Sequence, residues 1–548
     1  MTSSSIAVPC FRAAFVGAAL CLLLVPSGFA QGKPAFNPGN LVVSRTVYDN
    51  LSGNVTVGET LPPNCNPTTG GCVTAIADGT YPFVFNNDTA DGSFGITSRI
   101  FLDHSTPSGN VINSIEVPNS LDSWITGSSD QLVTSFSSKS ELALHLSTDG
   151  HYITFMGYVA PANTLDVSNS NTPMALDPTN PVPSSYYHAV ARVDRWGHFD
   201  FTLTNAYSGN NGRAAILNNT WGNDVFYTAG NAGNGANPQP TNVVLGAGAQ
   251  VVTFVDQPES NQTPGLPTPV GSFSVTELGD KADKIGKDDN YRGMTVFNNV
   301  LYFTKGSGSN GVNTVYFVDT TGTACPNGVG LPSSSASLPT SPIDTTGVNI
   351  QKNGVPTNMC VLAGFPITSN KAVNPVNFPF GLWFADANTL YVADEGDGTA
   401  TYDAATNIYT DAAAQTLAGL EKWVFDSSSK TWKLAYTLQN GLDLGRPYTV
   451  PRYPTGMNAA TGLPWSPTTD GLRNITGRVN DDGTVTIWAI TSTVSGGGDT
   501  GADPNRLVTI TDALNNTAAG PAAHEKFRSL RTAGFGEVLR GVSFGPTN

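Results

Sequence analysis

The sequence predicts an all-β protein: a β-propeller of four-stranded antiparallel blades, six in number, closed by pairing of its N- and C-terminal segments. Three observations carry this reading. A hairpin pattern recurs along the chain, two further strand-like runs follow each hairpin, and one unit is split between the two ends. Seven blades would require a weak repeat hidden in one of the long loops.

The chain opens with a segment that reads as a signal peptide, residues 1–30. Arg12 is its only charge. The apolar run Ala13 to Val25 follows, and Pro26, Ser27, Gly28 and Ala30 supply the breaker and small residues of a cleavage site. The run is too short for a comfortable membrane span, and no later segment approaches spanning length. The mature chain, starting near Gln31, is therefore expected to be secreted or periplasmic, without membrane insertion. Cys21 lacks the small residue before it that a lipid-anchoring motif needs. Residues 31–548 are expected to form a single propeller domain with long inserted loops.

The clearest hairpin is FGLWFADANTLYVADEG (380–396), and YRGMTVFNNVLYFTKG (291–306) matches it closely. ELALHLSTDGHYITFMG (141–157), GRAAILNNTWGNDVFYTAG (212–230) and LRNITGRVNDDGTVTIWAI (472–490) are three more. Apolar alternation around NN, DANT, TDG or NDDG turns is the chemistry of β-hairpins. Two strand-like runs follow each, for instance LEKWVFD (420–426) and TWKLAYTLQ (431–439). In the 291–306 unit the fourth strand is assigned to MCVLAGF (359–365). Four antiparallel strands, repeated, make a propeller blade. The sixth unit joins EVLRGVSFGP (537–546) to NLVVSRTVY (40–48), SRIFLDHS (98–105) and VINSIEVP (111–118), which removes the open sheet edge. The surplus length lies in loops, notably 50–95, 160–186, 320–358 and 441–471. AAAQTLAGLEK (412–422) is expected to give one or two helical turns.

The phrase TLYVADEG, with GLWFAD before it, resembles the blades of NHL-type and lactonase-like propellers over roughly residues 40–546. That resemblance speaks for fold; propellers host many functions. It also implies a calcium ion in the channel held by carboxylate and Asn oxygens, with Asp394 and Glu395 as the metal candidates. The competing reading is that the NDDG and DANT acids are turn formers, and it is the stronger one.

Composition narrows function. The formal net charge of −15 becomes −16 once Arg12 leaves, which argues against nucleic-acid binding. Cys65, Cys72, Cys325 and Cys360 remain after the leader is removed. In an oxidising compartment they read as disulfides, and proximity favours Cys65–Cys72 and Cys325–Cys360 among the three pairings. GSGSNG (306–311) precedes a strand rather than a helix and is read as a blade loop, not a dinucleotide site.

The candidate site is a ring. Arg213, Arg292, Arg473 and Arg540 stand at the start of the innermost strand in four units, with Phe380 and about Ser140 at the equivalent positions in the other two. Equivalent positions share one mouth of the central channel, where guanidiniums suit a carboxylate, sulfate or phosphate. The alternative is that these arginines pair with Asp394, Glu395, Glu141 or Glu537, and that packing role weighs more. His145, in LALHL, is the candidate acid/base residue, expected to face the channel by alternation. The residues permit three functions. The first is a monomeric binder of an anionic or carbohydrate-like ligand, a small molecule or glycan. The second is a hydrolase or lyase, lactonase-like or polysaccharide lyase-like, with a divalent metal such as calcium in the channel, and the third an adhesion scaffold. They leave enzyme against binder open.

Overall fold

Runs of alternating apolar residues, punctuated by Asn, Asp and Gly, fold back on themselves and extend into antiparallel sheets. The computed structural model describes residues 34–51, 53–54, 60–61, 73–74, 96–123, 125, 130–136, 138, 141–164, 170–176, 185–222, 224–231, 248–255, 259–263, 268–271, 276–277, 280–281, 290–306, 311–325, 327–342, 358–368, 377–459, 461–497 and 501–547. Six blades form a propeller, all within the unit Pro34–Asn548. The leader assigned to residues 1–30 and the pair Cys65–Cys72 lie outside the described residues.

Blade 1 is the split one. Its strands, from the channel outward, are Glu537–Phe544, Leu41–Val47, Thr97–Ser105 and Val111–Glu116. Leu41 pairs with Phe544 and Val47 with Glu537, so the last strand of the chain is sealed by the first. Blade 2 comprises His145–Leu146, Tyr152–Tyr158, His188–Asp194 and Phe199–Thr204, with Glu259–Ser260 added in parallel. Blade 3 comprises Gly212–Asn218, Val225–Gly230, Ala249–Thr253 and Pro269–Gly271. Blade 4 comprises Met294–Phe297, Val300–Lys305, Thr314–Val318 and Met359–Leu362. The short strand Val329–Gly330 lies parallel on its outer edge. Blade 5 comprises Pro379–Asp386, Thr389–Asp394, Gly419–Asp426 and Thr431–Leu438. Blade 6 comprises Thr468–Val479, Thr484–Val494, Arg506–Ala513 and Arg528–Thr532.

The helix expected over 412–422 is shorter and earlier, Thr410–Ala414. Sheet pairing overrides local propensity there. Leu420, Glu421 and Lys422 are fully buried against Ala393, Val392 and Tyr391 of the neighbouring strand.

Adjacent blades are held at a common level by side chains that bridge innermost strands. In blade 1 the Ser44 hydroxyl accepts from the Gly541 amide at 2.7 Å and donates to the Leu142 carbonyl of blade 2 at 2.8 Å. In blade 4 Thr304 does the same, accepting from Gly293 at 2.9 Å and donating to the Phe380 carbonyl of blade 5. In blade 6 the Asn474 amide donates to the Arg540 carbonyl of blade 1 at 2.9 Å. The approach is close enough that a Cβ at Gly293 would collide with the Phe380 carbonyl oxygen, and one at Gly541 with that of Leu142. These contacts fix the register. Arg292, Phe380, Arg473, Arg540 and Leu142 occupy one level; Ser140, the position first assigned in blade 2, lies outside the described residues and two positions before Leu142.

Cys325 and Cys360 form a disulfide with a Cα–Cα distance of 6.0 Å, tying the loop before Val329–Gly330 to the outermost strand of blade 4. No helix among the described residues is long and apolar enough to cross a membrane.

Candidate functional site: the central channel

The innermost strands enclose a cavity of about 640 Å³ to which all six blades contribute. That volume is in the range of sites for small organic ligands. Its layers follow from the register. At the first level stand the arginines, Phe380 and Leu142. Two residues further on, Leu144, Met294, Leu382, Ile475 and Val542 give an apolar collar. Three residues on, each blade supplies one lining residue: Ser543, His145, Ile216, Thr295, Trp383 and Thr476 in blade order. Beyond these, the wall is made of Ser147, Thr148, Thr220, Asn298 and Asn299 at the hairpin turns, with Leu338 from the disulfide-tied loop. No Asp, Glu, Lys or Arg is among the described lining residues.

The belt of six has a polarity of its own. His145 (blade 2) and Trp383 (blade 5) stand three blades apart in a ring of six, hence across the channel from each other. Thr476 and Ser543 occupy the two blades between them on one side. The Trp383 ring is braced by the Gly477 backbone, where even a Cβ would crowd it. The hydroxyls of Thr295, Thr476 and Ser543 are not engaged with other described side chains. Among the described residues, the buried Nδ1 of His145 has no partner at close hydrogen-bond distance. Burial pulls the His145 pKa down to about 4, against the opposing influence of the Met294 and Ala215 backbone, so the ring is neutral at pH 7. A neutral imidazole with so low a pKa is a weak base and a good hydrogen-bonding group.

The arginine level is a different environment. Arg213, Arg292, Arg473 and Arg540 are all buried. Arg473 Nε pairs with Glu395 Oε2 at 3.3 Å. Arg213 donates to the Asn290 side chain and, at 2.7 Å, to the Tyr291 carbonyl in front of blade 4. Arg540 donates to the Phe136 carbonyl in front of blade 2. Burial, and next the like charge of Arg292, lower the Arg213 pKa, while Glu141 and Glu395 oppose this. Arg292 is likewise lowered by burial, with Glu395 countering and Arg473 adding. The level is thus a mixed-charge layer, in which Arg213, Arg292 and Arg473 lie close enough to feel one another.

Glu141 accepts hydrogen bonds from Tyr158, Thr134 (2.6 Å), the Ser135 amide (3.2 Å) and Asn211 (3.0 Å). Glu537 pairs instead with Arg45 at 2.9 Å.

The two metal candidates sit beside this layer, not in the channel wall. Asp394 accepts the amides of Phe378 (2.6 Å) and Gly396 (2.9 Å), and burial with Glu395 and Asp397 nearby pushes its pKa up. Glu395 is committed to Arg473. Both carboxylates are thus engaged by protein groups beside the channel. The one His/Cys/Asp/Glu cluster with metal-like spacing among the described residues is Asp319, Cys325 and Cys360, and its two sulfurs are already joined.

Comparison of the sequence with known protein families and with curated proteins finds no match. What the chain does is therefore argued from its channel. His145 was found by alternation along LALHL. Thr295, Trp383, Thr476 and Ser543 were not singled out, although each lies three residues after a position of the arginine level. The signal was present in YRGMT, FGLW, LRNIT and LRGVS; the misplaced register of blade 2 hid that His145 belongs to the same set.

Proposed function

We propose that this protein is an exported β-propeller that binds a neutral, carbohydrate-like ligand in its central channel, entering from the hairpin-turn end. The belt that carries Trp383 and His145 on opposite blades, with Thr295, Thr476 and Ser543 on the blades between, carries this reading. A sugar offers a CH face to an indole ring and hydroxyls at its rim, and the belt offers one aromatic surface opposite a set of small donors and acceptors. The uncharged wall favours a neutral ligand over an acidic one. Titration calorimetry against neutral and acidic oligosaccharides tests it. A neutral glycan should bind wild type and lose at least about tenfold in affinity on Trp383→Ala, the worth of one aromatic contact with its buried area. Equal affinity in that variant, or binding of acidic glycans alone, would refute the assignment.

A second reading places a small oxyanion at the arginine level. The mutual repulsion of Arg213 and Arg292 favours it, since an anion between them would relieve it. In that case sulfate would raise the melting temperature of wild type more than that of Arg213→Gln.

A further inference from the structure

Beside the channel, between blades 4 and 5, lies a second recess of about 510 Å³. Its walls are aromatic. Phe297 stacks on Phe384 with centroids 4.5 Å apart, Tyr302 tilts against Phe384 at 4.6 Å, and Trp432 meets Phe384 edge-on at 5.8 Å and Phe425 at 5.6 Å. The opposite wall is the stretch Leu331, Pro332, Ser333 and Ser334. Asn298 and Asn299 line both this recess and the channel. Both are exposed, both hold left-handed backbone (φ 48° and 60°), and their side-chain amides bond to no described residue.

One segment walls both spaces. Leu331 to Ser334 face the recess, and Leu338, a few residues on, faces the channel. The segment is fixed at one end by Cys325–Cys360 and by the pairing of Val329 with Val361. At the other end Tyr227 of blade 3 donates to the Pro339 carbonyl at 2.6 Å. It is a strap across the hairpin end of the propeller, anchored on blades 4 and 3.

We propose that the recess is a second subsite, which takes the next sugar ring of the glycan whose first ring lies in the channel. The chain would pass over Asn298 and Asn299. This rests on the channel reading and extends it: the ligand becomes an oligosaccharide rather than a single sugar. The occupant follows from continuity. A ring leaving the channel over two unengaged amides meets an aromatic floor with serine hydroxyls opposite, the same pairing of apolar face and polar rim as in the belt. Two linked subsites make the second binding event intramolecular, so affinity should climb with chain length and then level off.

The test uses the full mature protein and neutral oligosaccharide series of one to six sugars (cello-, manno- and xylo-oligosaccharides), with calorimetry on wild type, Ser334→Trp and Trp383→Ala. Ser334 is exposed, so the added indole fills the recess without burdening the fold. Far-ultraviolet circular dichroism and the melting temperature check that it does. The expected result is tighter binding of the longer members of one series, an advantage of about tenfold that Ser334→Trp removes while leaving the shortest binder unchanged. If long and short members bind alike, or if Ser334→Trp changes neither, the subsite is overturned and the channel reading stands. If Ser334→Trp weakens binding but Trp383→Ala does not, the channel reading falls and the recess alone is the site. If no neutral glycan binds, both fall.

Discussion

The two ends of the central channel are built from the same strands yet differ in kind. Where the innermost strands begin, Arg213, Arg292, Arg473 and Arg540 are buried among Glu141, Glu395 and backbone carbonyls. Where those strands turn back, the described wall carries no charged residue, the hydroxyls of Thr295 and Thr476 bond to no described side chain, and the cavity is open. Three residues of strand separate the two levels. Charge has been placed where neighbouring blades can satisfy it, and uncharged polar groups where the cavity opens. The arginines mark the level where neighbouring blades supply their partners, and the residues three positions later mark the lining of the cavity.

Breaking the charged end should have the largest effect. Arg473→Met removes a guanidinium that pairs with buried Glu395, and removing one partner of a buried pair costs roughly 3–5 kcal/mol. Chemical denaturation should show that loss, and the double change Arg473→Met with Glu395→Gln should recover much of it. Glycan affinity of the folded fraction should stay within about twofold of wild type, because neither residue lines the cavity. A large loss of affinity in the stable double variant would mean that the two ends are not separable.

A smaller effect sharpens the contrast through pH. Burial pushes the Asp470 pKa up to about 8, with Asp397, Glu395 and Asp394 adding to it against the Gly398 amide. Its folded form keeps a proton that the unfolded chain releases near pH 4, so its contribution to stability declines as pH rises from there through about 8. His145 and His188, both lowered to about 4 by burial, act oppositely: stability falls as pH drops from 6.5 towards 4. These two histidines fade out as pH rises past their unfolded value of 6.5, so the slope of melting temperature towards pH 8 reports the acids. Asp470→Asn should make that slope shallower. An unchanged slope would mean that Asp470 does not hold its proton through that range.

Much of the fold was legible in the sequence because blades repeat. Turn residues such as Asn298–Asn299 and Asp481–Asp482–Gly483 mark hairpins locally, and the unpaired strands at 40–48 and 537–546 demand each other. The fourth strand of blade 4 was found at Met359–Leu362 for the same reason. The helical turn expected within 412–422 ends at Ala414 because Leu420, Glu421 and Lys422 are committed to a sheet by pairing with residues some thirty positions earlier, which local propensity does not contain. The site was less legible. Identical positions can be read off a repeat only if the register is right, and blade 2 has a short innermost strand, His145–Leu146, preceded by Leu142 with left-handed backbone (φ 61°). That irregularity shifted its alignment by two residues. The bridging hydroxyls of Ser44 and Thr304 leave no pattern at all, since serine and threonine are common throughout the chain.

The most direct test is a crystal structure of the mature protein with the neutral oligosaccharide that binds it best. The ligand should lie inside the six-blade ring with one sugar face against Trp383 and hydroxyls on His145, Thr476 or Ser543. A glycan found instead among Arg213, Arg292, Arg473 and Arg540, or outside the channel altogether, would contradict the proposed function.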